Sequence, residues 1–489
     1  MTCRTDSFPT ATSKEQARVE EILLQHRPPN DQPKPHLQRP EHLNYLLRNL
    51  RQGFPERFIS QDCSQTWLVY WTLHSFSLLG VALDPETKQR AIDTIMACQH
   101  PDGGFGGGPG QAPHVLPTYA AISALASVGR AGPGGGWDQI DRLKLYKFFL
   151  SLKQRDGSFL VAHHSEVDVR GTYCLLCVAA LLNLITPELI KGTAEFIASL
   201  QTYEGGFASA SQPYFSPDGS GEEEEEVLLK EPRPALGEAH GGYTFCALAS
   251  WVMLHPLLPL LSSSGTSSEQ QPTINTRNLV RWLVQMQGSE AELGGFRGRT
   301  NKLVDACYSW WVGGAFNLLR PLGVGTRSAT SVPTTSPPTT TPPKGEGKEE
   351  EDAWTDDDES LFNRAGLQEY ILYAAQHKAG GLRDKPPKIA DSYHTLYSLA
   401  GLASAQHNVF QVDETKEKLR AAWKPKEGDD PALDEFHKTV FAEARAWTEE
   451  VGGSNYVNGK VDRVNATHPI FNLTITHVRL IMNHFYAQE

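Results

Sequence analysis

The sequence predicts an all-α fold: two concentric rings of helices, an α/α toroid built as a six-hairpin α-α barrel. Three observations predict it. A Gly-rich turn recurs between helices at a near-constant spacing. Helices that read apolar on every face alternate with helices that carry a single apolar stripe. Strand signals are scarce throughout.

The turns align as CQHPDGGFGG (98–107), LKQRDGSF (152–159), LQTYEGGF (200–207), MQGSEAELGGF (286–296) and AQHKAGGL (375–382). Each sets Gln near a helix end, then a polar or acidic step, then Gly-Gly or Gly-Ser, then Phe or Leu. Two intervals are stretched by insertions, which leaves an underlying period of about 50 residues, in the range of repeat architectures. Glycine suits a helix end because the left-handed conformation there carries no Cβ penalty. The Phe that follows can fold back onto the helix ends.

Residues 172–185 (TYCLLCVAALLNLI) are apolar on nearly every face, as in a helix buried all round. Thr186-Pro187-Glu188 then supplies an N-cap, a proline at the first helical position and an early acid. The next helix should carry Leu189, Ile190, Ala194, Ile197 and Leu200 on one stripe, with Lys191 and Glu195 opposite. Buried inner helices and one-sided outer helices satisfy a toroid. A linear solenoid also fits the repeat, but its helices are rarely so apolar all round. The toroid should occupy residues 40–488 as one domain, after a flexible tail at 1–39. Insertions interrupt it at 209–238, 261–275 and 324–360. The last begins TSVPTTSPPTTTPP, ends in an acidic run and reads as disordered.

The chain has 489 residues and a formal net charge of −12. Two acidic runs, Glu222 to Glu226 and 346–359, account for all of that negative charge. The remainder is nearly neutral, so neither nucleic acid nor an acidic membrane surface is an expected partner. The acidic runs themselves read as solvated chain. Seven cysteines show no set of paired C-x-x-C motifs, and Cys174 and Cys177 read as buried helix thiols. A reducing, cytoplasmic setting is the expectation. The N-terminal stretch has no apolar signal-peptide core, and no run of 18 apolar residues is found, so no membrane span is expected. The sequons at Asn465 and Asn472 then read as chance matches.

Four constellations bear on chemistry. Asp305 and Cys307 are two residues apart, which on a regular helix turns them about 200° from each other. They can share a metal only at a helix start, and the apolar run YSWWVGGAFNLL puts a helix start there. Alone, the pair reads as a cap plus a core thiol. Asp391 is a plausible N-cap with His394 in the first turn, at the equivalent place in the following repeat. Asp, Cys and His are suitable zinc ligands, and three of them leave a position open, as catalytic zinc sites do. Arg299, Lys302, His240 and Arg170 sit at the same kind of helix start, where anions are favoured. They read either as a phosphate site or as solvated surface. Trp67, Trp71, Tyr173, Tyr243, Tyr308, Trp311, Tyr393 and Tyr397 read individually as core packing, and together as the lining of an apolar tunnel. A zinc-held thiolate and a lipid diphosphate are the reactants that such a site would bring together.

The motifs EVDVRGTYC, AHGGYTFCALA, GGFRGRTNKLVDACYSWW and GGLRDKPPKIADSYHTLYSLAGL resemble the β subunits of protein prenyltransferases, most closely the farnesyl type. The resemblance runs from about residue 40 to the C-terminus, interrupted by the insertions. It implies a catalytic β subunit that transfers farnesyl from farnesyl diphosphate to the cysteine of a C-terminal C-a-a-X motif, in proteins such as small GTPases. It implies a heterodimer, with a helical-repeat α subunit that supplies a lysine to the site. By the same resemblance Asp305, Cys307 and His394 hold one zinc ion, and His240, Arg299, Lys302 and Tyr308 contact the diphosphate. Asp384 matches a carboxylate associated with magnesium. Trp67, Trp71, Arg170, Tyr173, Tyr243, Cys246, Trp311 and Tyr393 match positions lining the isoprenoid and peptide sites. Bulky Trp67 and Tyr397 fit the fifteen-carbon lipid.

The nearest rival is the β subunit of geranylgeranyltransferase type I, which shares the metal and diphosphate residues. The Rab-type enzyme fits less well at the lipid-depth positions. The turns Gln99 to Phe105 and Gln201 to Phe207 also resemble those of triterpene cyclases. A cyclase needs an acidic element in its cavity, and the dense acids here lie in an insertion. A non-catalytic helical-repeat binding module remains the alternative outside enzymes.

Overall fold

The computed structural model describes residues 8–54, 56–218, 225–228, 233–262, 271–324, 360–426, 428 and 430–488. Residues 219–224 and 229–232 of the first insertion, 263–270 of the second and 325–359 of the third lie outside the described residues.

Helices α1 (Ala11–Leu24) and α2 (Arg39–Gln52) come first. Then α3 (Gln65–Leu78), α5 (Val115–Val128) and α7 (Val169–Leu181) are inner helices, separated by the outer α4 (Pro85–Met96) and α6 (Arg142–Leu152). The next outer element is split into α8 (Pro187–Ile190) and α9 (Thr193–Ser199). Inner α10 (Gly241–Leu254) leads into α11 (Leu258–Ser262), followed by outer α12 (Thr276–Gln285) and the short inner α13 (Tyr308–Trp311). Outer α14 (Arg364–Glu369) precedes the last inner helix, α15 (Ser392–Gln406). Helices α16 (Asp413–Ala421), α17 (Pro431–Arg445) and α18 (Ile475–Phe485) complete the chain.

The inner helices close a ring. α3 packs on α5, α5 on α7, α7 on α10, α10 on α13, α13 on α15, and α15 returns to α3. Every residue of α7 except Arg170 is buried, whereas outer α12 buries only Leu279, Trp282 and Leu283. That contrast is the apolar-all-round against one-sided pattern of the sequence. The last two inner elements approach closely: a Cβ at Gly401 would lie 2.2 Å from Ser309 Cβ.

The five aligned turns each close with one isolated antiparallel bridge: Gln99–Phe105, Lys153–Phe159, Gln201–Phe207, Gln287–Phe296 and Gln376–Leu382. In the second turn Lys153 takes the bridging place, not Gln154. The apolar member is fully buried in all five. A sixth bridge, Thr467–Thr474, closes a turn with no glycine, where Asn472 adopts the left-handed conformation at φ 49.

Four features differ from the sequence expectation. Residues 1–39, read as a flexible tail, contain α1, whose Val19 and Leu23 are buried. The stripe of residues 189–200 breaks after Ile190 at Lys191-Gly192. Gly192 there is left-handed, and its carbonyl lies so close that a Cβ on Gly157 would fall 2.0 Å away. The stem of the first insertion forms two antiparallel pairs. β1 (Ala210–Ser211) pairs with β4 (Ala235–Leu236), and β2 (Phe215–Asp218) with β3 (Glu225–Leu228); β5 (Val409–Gln411) and β6 (Trp447–Glu449) pair later in the chain. Finally, the helical run Gly241–Leu261 is long and apolar enough to cross a membrane, with mean hydropathy 1.6. It scores so because an inner helix must be apolar on faces met by α7, α13 and α17, and 67% of it is buried in the fold.

Candidate active site

The starts of the inner helices, α3 excepted, share one capping device. A polar side chain two or three residues ahead accepts a backbone N–H of the first turn: His114 for α5, Asp168 for α7, His240 for α10 and Asp391 for α15. Asp305 plays the same part before α13, accepting the Cys307 N–H at 2.9 Å. Polar chemistry is therefore gathered at one end of the helix ring by the way its helices begin.

Asp305, Cys307 and His394 come together there, with their ligand atoms within 4.8 Å of one another. Cys307 is the cap residue of α13, so the backbone is still turning between it and Asp305, as their spacing required. His394 Nε2 lies 3.2 Å from Asp305 Oδ1. Its Nδ1 lies 2.7 Å from Asp391 Oδ2, a carboxylate already fixed by accepting the His394 N–H at 2.8 Å. Burial alone would lower the His394 pKa, but the hydrogen bonds to Asp305 and Asp391 override it and push the imidazole up to about 10. Burial opposes ionisation of Asp305, yet the His394 contact holds its carboxyl below the usual range. Burial, then the neighbouring Asp305, pushes the Cys307 thiol up. Two carboxylates and a buried thiol converging on one imidazole form a group that can hold a metal ion, with Asp391 as the orienting partner.

Asp384 is on the adjacent turn. Its carbonyl accepts the Ala306 N–H at 3.0 Å and the Tyr370 hydroxyl at 2.9 Å. Its carboxylate pairs with Lys385. Burial and then the Asp305 charge raise its pKa. A single carboxylate is too few for a divalent-cation shell by itself.

Beside this group lies a cavity of about 410 Å³. Of the residues expected from sequence, Trp67, Trp71, Arg170, Tyr173, His240, Tyr243, Cys246, Tyr308, Trp311, Tyr393 and Tyr397 line it. Aromatic rings pass round it without a gap: Trp71–Trp67 at 5.5 Å, Trp67–Tyr119 at 5.6, Tyr119–Tyr173 at 5.6, Tyr173–Phe245 at 5.8, Phe245–Trp311 at 5.4, Trp311–Tyr397 at 4.5, Tyr397–Tyr393 at 4.7 and Tyr393–Trp71 at 5.4. Ser64, Leu116, Tyr119 and Gly242, which the sequence reading gave no place in the cavity, also line it, as does Cys174, which it took for a buried helix thiol. Nor did it find the floor. Tyr70, Tyr119 and Tyr173 donate to the carbonyls of Asn472, Phe471 and Ile470 at 2.7, 2.9 and 2.8 Å.

Of the basic residues, His240 and Arg170 line the cavity. His240 Nδ1 accepts the Gly242 N–H at 3.0 Å, so Nε2 carries the proton and donates to the Tyr308 oxygen at 3.1 Å. The Tyr308 proton is left free to point elsewhere. Burial, then Arg299 and Arg170, depress His240 to about 4. Arg170 is gripped by Asp168 and lies 5.3 Å from the Tyr243 ring centre. Arg299 pairs with Glu238, and Lys302 is exposed on the same turn; neither lines the cavity wall.

The prenyltransferase alpha-alpha toroid domain matches residues 37–473. The chain is 32% identical to the protein farnesyltransferase subunit beta of Pyricularia oryzae, over 99% of this chain and 82% of that protein. It belongs to the protein farnesyltransferase β-subunit family. The Schizosaccharomyces pombe subunit is 37% identical, over 75% of this chain and 78% of its own length. The Arabidopsis thaliana geranylgeranyl transferase type-1 subunit beta is 24% identical. Among solved structures, Candida albicans protein geranylgeranyltransferase-I complexed with GGPP matches with a TM-score of 0.57 at 17% identity, covering 92% of this chain and 99% of that one. That likeness is one of fold. Membership of the farnesyltransferase β-subunit family sets the chain apart from the cyclase and binding-module alternatives.

Proposed function

We propose that this chain is the catalytic β subunit of a zinc-dependent protein farnesyltransferase, working in the cytoplasm with an α subunit. Its substrates are farnesyl diphosphate and proteins ending in C-a-a-X, small GTPases among them. The observation that carries the reading is a three-ligand group able to hold a metal, set beside a cavity ringed by aromatic side chains. Free thiols at all six described cysteines support a reducing compartment.

Asp305, Cys307 and His394 would hold one zinc ion, which when bound supplies a thiolate at neutral pH from an incoming cysteine. Asp391 keeps Nδ1 of His394 engaged and so presents Nε2. The aromatic belt takes the hydrocarbon and excludes water from the reacting carbon. At that carbon a sulfur–carbon bond forms as the carbon–oxygen bond breaks, and the electron pair leaves with the diphosphate. His240, by donating to the Tyr308 oxygen, turns the Tyr308 proton toward the leaving oxygens. Arg299 and Lys302 add positive charge there, where it is worth most as charge builds. Asp384 would offer one carboxylate to a magnesium ion, which would supply further positive charge for the leaving diphosphate. Trp67 and Tyr397 fill the depth of the cavity and favour the shorter lipid.

The test is co-expression with a prenyltransferase α subunit. Bound zinc is measured first, then transfer from farnesyl and geranylgeranyl diphosphates to a C-a-a-X peptide. About one zinc per heterodimer with farnesyl transfer is expected. Geranylgeranyl transfer alone would move the chain to the type I activity. A folded heterodimer with neither zinc nor transfer would overturn the reading.

A further inference from the structure

The segments carrying His240 and Arg299 are stitched side by side. The Gly241 N–H donates to the Gly298 carbonyl at 2.7 Å. Glu204, in the third Gly-rich turn, accepts the Ala239 N–H at 3.2 Å through one oxygen and the Thr300 hydroxyl at 2.9 Å through the other. This double bond fixes both backbones. It does not fix Arg299, whose guanidinium is held by Glu238 across the seam. Both side chains are partly open to solvent, 40% exposed for Arg299 and 52% for Glu238.

Glu238 stands at the end of the first insertion, with its side chain half exposed. The insertion stem is anchored by Arg233, whose buried guanidinium pairs with the buried Asp156. Between that anchor and Glu238 comes the short strand β4 and then Gly237, at φ 99 with no atom within 4 Å of its Cβ position. The Glu238 backbone is thus held between β4 and the Ala239 bond to Glu204, and its carboxylate can leave Arg299 only by side-chain rotation.

We propose that Glu238 is a gate on the diphosphate site, holding through Nη1 of Arg299 a guanidinium whose N–H groups phosphate oxygens would also take. This rests on the reading of Arg299 as a diphosphate contact. A carboxylate and a phosphate both accept from those N–H groups, which cannot serve both in full. Diphosphate binding therefore displaces the Glu238 carboxylate, whose half-exposed side chain turns aside into solvent. The gate is a weak one, because partly exposed ion pairs contribute little. It tunes substrate affinity while keeping Arg299 charge-compensated in the empty site.

The experiment is a calorimetric titration of the intact heterodimer with inorganic pyrophosphate. Glu238→Gln should bind about two- to fivefold tighter than the wild type, the range a partly exposed ion pair allows. The difference should shrink at high salt, where such pairs are screened. Glu238→Asp, which keeps the charge, should return affinity toward the wild-type value. In an Arg299→Gln background, Glu238→Gln should have no effect, since the competition is then gone. Unchanged or weaker binding by Glu238→Gln would overturn the gate and make Glu238 an orienting partner of Arg299. The same gain in both backgrounds would reduce it to a general charge effect and overturn it equally. If the wild type and Arg299→Gln bind pyrophosphate alike, the assignment of Arg299 to the diphosphate fails, and the gate falls with it.

Discussion

A single methyl group at Gly298 should cripple the enzyme without touching a metal ligand. Gly298 does not have a positive φ, so alanine is conformationally tolerated there. Space is the obstacle. A Cβ at Gly298 would lie 1.9 Å from Cζ of Tyr308 and 2.3 Å from its hydroxyl oxygen. Ordinary contact needs about 3.4 Å, so the tip of the ring must retreat by about 1.5 Å. It cannot simply slide, because Gly241, on the neighbouring segment, is bonded to Gly298 and also abuts the ring. The 3.1 Å bond from His240 to the Tyr308 oxygen is then lost. Misplacing a catalytic group by about 1 Å costs on the order of a hundredfold in rate, and overpacking costs about 1–3 kcal/mol of stability. The assay is single-turnover farnesyl transfer by the heterodimer, with zinc content and thermal unfolding as controls. Gly298→Ala should keep its zinc and fall in rate about as far as Tyr308→Phe. A folded, zinc-loaded Gly298→Ala that transfers at the wild-type rate would refute both the clash and the role given to the Tyr308 hydroxyl.

Other expectations follow from the same geometry. Asp391→Asn removes the charge that orients His394, and chelator competition should show zinc held about 10–100-fold more weakly; unchanged affinity would mean Asp391 acts as a cap alone. Trp67→Thr opens the wall between Trp71 and Tyr119, so the ratio of geranylgeranyl to farnesyl transfer should rise. An unchanged ratio would remove Trp67 as the length gate. Acid should destabilise the fold through buried histidines. Burial depresses His74 to about 3 and His42, His240, His468 and His477 to about 4, against 6.5 when unfolded. The unfolded chain then binds more protons, so stability is full above about pH 6.5 and is lost as pH falls toward 4. Urea midpoints across that window check it. His74→Phe should flatten the slope, since His74 stacks on Tyr70 and neither ring nitrogen has a partner among the described residues.

Much of this was legible because the repeat is written in short-range chemistry. A Gly-Gly after Gln announces a turn closed by its own bridge, and an Asp or His ahead of an apolar run announces a capped inner helix. Five turns and the metal group are accessible to that reading. The sixth turn was not, because Asn472 does glycine's work in THPIFNLT. A subtler signal was also missed. Thr118, Thr244 and Thr395 each hold the N–H of the apolar residue ending the preceding turn, at 2.9 Å. Thr172 and Ser309 occupy the equivalent places, but their hydroxyls have no partner among the described residues. The docking of α1 rests on bonds from Gln16 and Arg27 to Glu292 and Glu290, and no local pattern encodes a partner some 270 residues away. The cavity floor is harder still, since tyrosines of three helices meet carbonyls near the other end of the chain.

The return of α15 to α3 makes this molecule unlike an open stack of repeats. In an open stack, each unit leans on its neighbours only, and the terminal unit can peel away while the others stand. A closed circuit has no terminal unit. Losing any one inner helix strips apolar surface from two others at once and opens the aromatic belt to water. Partial proteolysis or truncation should therefore yield either the whole fold or none of it. Loops between the helices escape this constraint, and so the chain carries its long inserted stretches there, while the interior of the ring leaves little room for a change of length.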